Sequence, residues 1–221
     1  MATKKKSNMA TKKKSNKKCN LSDIRKGDII FIRQFKMFDH SLLSNSNKTF
    51  VVNNTKLKQF MECNIKKNNI YGCFKSLIPI CNNASFTIIT PDYSEIKKLI
   101  PNLNKNKLVN YVVKEMTYFV NDPKIKTMNS GALLRIFKKC QIPKSKLLTH
   151  KVSFSKKKML VCHEAVILAW RRGLYKYIKT FYKDEKIILE KVNKIIPLNS
   201  KKCILNFSKY LEKTPYWNKL K

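Results

Sequence analysis

The sequence predicts an α+β fold, with a small, mostly antiparallel sheet packed against a cysteine-bearing helix and additional helices. Two β-favouring runs in the first half, residues 29–32 (IIFI) and 85–90 (SFTIIT), supply the strand signal. Beyond Pro91 the apolar residues switch to helical spacing, most clearly at Leu108, Val112, Met116 and Phe119, which share one face. Together with the small-residue face of the cysteine-bearing helix, these signals make up the α+β reading.

In chain order, residues 1–16 are the unit MATKKKSN written twice, followed by Lys17 and Lys18. This stretch has eight lysines, no acid and almost no apolar surface, so residues 1–20 are read as a disordered basic tail. Residues 21–221 are read as a single domain with room for one substantial core. In LSDIRKGDIIFIRQ, Ser22 and Asp23 can cap a turn, Gly27-Asp28 punctuates it, and residues 29–32 form a buried strand. A second strand is expected over 49–52, leading to a turn at Asn53-Asn54. Residues 56–83 give mixed signals. Leu57, Phe60, Met61 and Ile65 have helical spacing, whereas 70–74 and 77–81 read as short strands.

Pro91 terminates the SFTIIT strand, and helices are expected over 93–100 and 106–120. Ser130 caps a further helix through Cys140, and LLTHKVSF reads as a strand. Residues 159–177, MLVCHEAVILAWRRGLYKY, form the central amphipathic helix. On it Cys162, Val166 and Ala169, with Ala165 alongside, make a small-residue face that Gly173 extends, suited to close packing on a sheet. Arg171 and Arg172 are assigned to its solvent side, and Glu164 is read as a helix-start acid or a surface ion pair. A charged helix over 183–194 and a final segment through Trp217 complete the chain, with Tyr216, Trp217 and Trp170 read as packing residues.

Composition narrows the function classes. The net charge of +35 points to an anionic partner, DNA or RNA bound by non-specific contacts or an acidic membrane surface. Lysine outnumbers arginine 43 to 5, with abundant Asn and Ile, a bias that A/T-rich coding also produces. So few bidentate forks imply weak sequence preference and a steep salt dependence. In the tail, Lys4, Lys5, Lys6, Lys12, Lys13, Lys14, Lys17 and Lys18 are the candidate phosphate contacts. Seven scattered cysteines without a CxxC pair suggest neither a metal site nor a cofactor, and reduced thiols. The tail lacks a secretory h-region, and the longest apolar run, residues 165–170, is too short to span a bilayer. An intracellular reducing compartment or a virion is the expected location.

Cys162 is the sharpest chemical candidate. A thiol in the first turn of a helix meets unsatisfied N–H groups and the positive end of the helix dipole, which stabilise a thiolate. The competing reading is a small buried apolar residue. A cysteine hydrolase also needs an imidazole within reach and N–H donors for an oxyanion. Three histidines are available. His163 adjoins Cys162 and on a helix is expected to point away from it, leaving His40 and His150 as candidate partners.

GDIIFI at residues 27–32, MLVCHEAVILAW at 159–170, and IIPL followed by LEKTPYW form an ordered set. It resembles the circularly permuted NlpC/P60 group of papain-like cysteine hydrolases, which has bacterial, poxviral and giant-virus members. The resemblance implies a papain-like fold from about residue 21 onward, with Cys162 as the nucleophile and His40, in Asp39-His40-Ser41-Leu42-Leu43, as the catalytic histidine. Glu164 matches the acid of the group's C-S-E-type motif, while His163 replaces its serine. Two functions are expected on this basis. One is a thiol hydrolase or acyltransferase acting on an amide, isopeptide or ester bond. The other is a non-catalytic, nucleic-acid-associated virion protein using the same scaffold structurally.

Overall fold

Gly27 takes φ = 94°, the left-handed region that a residue with a Cβ avoids, and turns the chain into strand β1 (Ile29–Phe35). The computed structural model describes residues 23–35, 38–52, 55–66, 70–79, 86–122, 125–127, 158–160, 162–197 and 207–220, with side chains over 23–32, 41–48, 58–62, 75–76, 86–122, 162–197 and 208–220. The expected tail, the turn at Asn53-Asn54, the helix from Ser130 to Cys140 and the LLTHKVSF strand lie outside the described residues.

Strand β1 pairs with β2 (Phe38–Val52), β2 with β3 (Thr55–Lys66), and β3 with β4 (Ile70–Pro79). On its other side β1 pairs with β5 (Phe86–Pro91), and β5 with β8 (Trp217–Leu220). The result is a six-stranded sheet ordered β4-β3-β2-β1-β5-β8, antiparallel throughout. Strands β6 (Ile125–Thr127) and β7 (Lys158–Leu160) form a separate parallel pair.

The runs at 29–32, 49–52 and 70–74 fall within longer strands, and the run at 85–90 appears as β5 with about its expected length. The polar cluster 44–48 is absorbed into β2, where the register shifts between Ser44 and Thr49, and the two short runs after residue 70 merge into β4. The helical spacing around Phe60 is overridden. β3 is hydrogen-bonded on both edges, and pleat alternation puts Phe60 and Met61 on opposite faces, each buried in its own cluster, so apolar neighbours in sequence suit a strand covered on both sides.

Helix α1 (Tyr93–Leu99) is capped by Asp92, whose carboxylate accepts from the backbone N–H groups of Ser94 and Glu95. Asn104 caps α2 (Lys105–Asn121) through the Lys107 N–H, and Asp184 caps α4 (Glu185–Ile195) through the Lys186 N–H. The central helix, α3 (Cys162–Ile178), is shorter at its start than expected, since Met159 belongs to β7. Helix α5 (Phe207–Leu211) precedes the last strand.

Pleat alternation divides the sheet into two faces. Ile29, Phe31, Leu43, Met61 and Ile89 pack with α2, α3 and α4 in the main core, whereas Ile30, Leu42, Phe60 and Ile88 join Ile24 on the other face. The terminal aromatics pack as expected. Trp217 sits edge-on to Trp170 at 5.0 Å and donates its indole N–H to the Ile195 carbonyl at 2.8 Å.

Helix α3 has little solvent side, which corrects two assignments. Arg171 is 2% exposed, and its guanidinium donates to the Ile196 carbonyl and, at 2.8 Å, to the Asn193 amide oxygen, which ties α3 to the end of α4. Arg172 donates at 2.6 Å to buried Glu115 of α2, which Lys176 also contacts. Both arginines lie within helix–helix seams, so their polar heads serve as cross-links.

Gly173 is the closest approach in this seam. A Cβ there would lie 2.6 Å from the Val112 Cα and 2.7 Å from its backbone nitrogen. Backbone cannot yield as a flexible side chain can, so Gly173→Ala is expected to cost about 1–3 kcal/mol of stability. Urea unfolding should show a lower midpoint with an unchanged slope, and a midpoint equal to that of the parent protein would sink the close-contact reading.

Asp28, 2% exposed, accepts from the Arg25 backbone N–H at 2.7 Å. Burial raises its pKa to about 6 against the partial opposition of that hydrogen bond, Thr90, Arg25 and Lys105. Between the unfolded value of 3.8 and about 6 the folded state binds the extra proton. This contribution is therefore complete below pH 4 and lost as pH rises through 6, about 3 kcal/mol in all. Asp28→Asn should remove that slope. Parallel pH profiles of wild type and variant across this window would count against the assignment.

Candidate active site at the start of α3

Cys162 opens α3 and is half-buried, at the end of the helix where first-turn N–H groups lack intrahelical acceptors. Its Sγ lies 3.0 Å from Nδ1 of His163. The same nitrogen lies 3.1 Å from the Ser41 hydroxyl of β2, 122 residues away in sequence. The imidazole is 4% exposed and meets the Phe31 ring of β1 in an edge arrangement, with centroids 6.3 Å apart. Two strands of the sheet thus hold the ring against the thiol.

The expectation that His163 points away from Cys162 is corrected. Sγ and Nδ1 are close to their respective Cβ atoms, and at the first helical residue no preceding turn blocks the rotamer that brings the sulfur towards its neighbour. Ser41 had no local signal in the sequence. Only the sheet register, with Ser41 opposite Phe31, delivers its hydroxyl to the ring. Ser41 is fully buried and on the helix-facing side with Leu43.

His40 stands in β2 opposite Ile32, and Ile32 packs with the cluster on the sheet face away from α3. The His40 side chain and all of His150 lie outside the described residues, as do Lys4, Lys5, Lys6, Lys12, Lys13, Lys14, Lys17 and Lys18. Glu164 is an acid of the first turn of α3, as expected, but at 3% exposure it is not the surface ion pair that was the other expectation.

Chemically, the cluster can hold a proton at one defined atom. With the ring neutral and its hydrogen on Nε2, Nδ1 accepts from the thiol or from the Ser41 hydroxyl. With the proton moved to Nδ1, the ring becomes a donor to the thiolate. A hydroxyl both donates and accepts, so Ser41 can remain a partner in either state. The α3 N-terminus favours the negative sulfur, and its N–H groups can donate to a developing oxyanion.

Among the described residues no group of three or more His, Cys, Asp and Glu side chains converges as a metal site, and no helix is long and apolar enough to cross a membrane. A cleft of about 520 Å³ lies elsewhere, between the turn before β1 and the start of α2, and neither Cys162 nor His163 lines it. Comparison with family models, curated proteins and solved structures finds no match to this chain.

Proposed function

We propose that the protein is a thiol hydrolase or acyltransferase in which Cys162 is the nucleophile and His163 its base. The observation that carries this reading is the 3.0 Å approach of Sγ to Nδ1 at a helix N-terminus. Nδ1 takes the thiol proton, and the thiolate attacks the carbonyl carbon of an amide, isopeptide or ester. A C–S bond forms as the carbonyl electrons move to oxygen, where first-turn N–H groups receive the charge. Collapse breaks the C–N or C–O bond, and the Nδ1 proton goes to the leaving amine or alcohol. Water, deprotonated by His163, then hydrolyses the thioester, or a second nucleophile takes the acyl group.

The proposed scaffold is a divergent permuted NlpC/P60 fold. Two points support it: GDIIFI supplies β1, and α3 carries the cysteine late in the chain, where Phe31 of that strand meets His163. In this reading His163 takes the part that the resemblance gives to His40. The contact at Nδ1 favours His163.

A thiol-reactive acyl probe should label Cys162 and not label Cys162→Ala. At pH 7, His163→Ala should slow alkylation of Cys162 by up to about thirtyfold, the difference between an ordinary thiol with a few per cent thiolate and a fully ionised one. Equal labelling of all exposed thiols, or loss of reactivity in His40→Ala but not His163→Ala, would overturn the assignment.

A second reading rests on the net charge of +35 and makes the protein a nucleic-acid-associated component of a virion, with the scaffold structural. Duplex DNA affinity should then fall steeply with salt. Deleting residues 1–18, which carry eight lysines, should flatten the slope of log K against log salt by up to about 7. An unchanged slope after deletion would remove the tail from that role.

A further inference from the structure

The cleft of about 520 Å³ is lined by Ile24, Arg25, Lys26, Asn47, Lys105, Asn106, Val109 and Asn110. Three cations and three carboxamides face one volume, with no acid among the lining residues. Its size lies within the range of small-ligand sites, roughly 300–1,000 Å³. Buried Ile24 and Val109 give it an apolar floor.

Two of the three cations have side-chain contacts of their own. Lys26 donates to the Asn110 side-chain oxygen at 2.8 Å, and its backbone N–H donates to Asn47 at 2.7 Å. The Lys105 ammonium sits 4.7 Å from the centre of the Tyr93 ring. Among the described residues the Arg25 guanidinium makes no hydrogen bond or ion pair, unlike Arg171 and Arg172. The nearby carboxylate of Asp28 is buried behind the turn and accepts the Arg25 backbone N–H. Lys105 and Asn106 also open the 17-residue α2, whose cap accepts only the Lys107 N–H, so the dipole and first-turn donors add to the cationic lining.

We infer that this cleft binds a nucleotide-sized phosphate ester. The phosphate lies between the Arg25 fork, Lys105 and the start of α2. The asparagine amides meet the polar edges of the remainder, and Ile24 and Val109 its flat apolar surface. An extended surface of lysines would bind any polyanion. A concave site with an exposed arginine outside any hydrogen bond or ion pair among the described residues, carboxamides and an apolar floor selects a compact phosphate-bearing group. The phosphate can come from a free nucleotide or from the end of a nucleic-acid strand.

Titrating the full chain with adenosine monophosphate, inorganic phosphate and a 5′-phosphorylated tetranucleotide, monitored by amide chemical shifts, tests this. Saturable shifts confined to residues 25–27, 47 and 105–110 are expected with the nucleotide, with inorganic phosphate competing more weakly. Arg25→Ala should weaken binding at least about tenfold, and Arg25→Lys less. Both substitutions are at an exposed position, and an unchanged thermal midpoint checks the fold. Saturation by the tetranucleotide at the same residues, but not by the free nucleotide, assigns the phosphate to a strand end. Shifts scattered over surface lysines, no saturation by any probe, or an affinity unchanged in Arg25→Ala would overturn the inference.

Discussion

At Gly173 the backbone of α3 lies directly against the backbone of Val112 in α2, and the absence of a side chain there sets how the two long helices share one face of the sheet. From that contact α3 runs between α2, α4 and the strands with Ala165, Val166, Leu168, Ala169, Trp170 and Leu174 buried. A helix covered on so many sides has no room for free charges. Arg171 and Arg172 therefore become cross-links to α4 and α2, and Glu115 is neutralised within the seam by Arg172 and Lys176. Removing Arg172 would leave the buried Glu115 carboxylate to Lys176, whose ammonium is half exposed, so the pairing within the seam depends mainly on Arg172.

The same packing determines what the N-terminus of α3 can do. Its first turn is pressed against β1 and β2, so Phe31 and Ser41 define the position of the His163 ring, and the ring in turn meets Sγ of Cys162. A single nitrogen shared between a thiol and a hydroxyl is a compact proton store. The helix dipole at this end favours negative charge on the sulfur. The cleft at the start of α2 uses the other end of the assembly, where Gly27 turns the chain beneath Val109 and Trp170.

Much of the fold was legible because local signals agreed with tertiary demands. The runs 29–32 and 85–90, the shared face of Leu108, Val112, Met116 and Phe119, and the small-residue face of α3 all carry patterns that burial later uses. Legibility failed where long-range pairing overrode local preference. Leu57, Phe60, Met61 and Ile65 have helical spacing, but hydrogen bonding on both edges makes that segment an inner strand. Arg171 and Arg172 look like a solvent face because charge alone does not reveal a carbonyl or carboxylate waiting on another helix.

The sequence alone determined the α+β class, the thiol at a helix start and the extreme positive charge, because periodicity, composition and spacing are properties of neighbouring residues. Tertiary structure decided which histidine ring the described contacts bring to Cys162. Ser41 and His163 are 122 residues apart, and only the register of β2 against β1, with α3 docked across both, brings hydroxyl, imidazole and thiol to one nitrogen. Such convergence depends on where whole elements pack, and no local pattern records it.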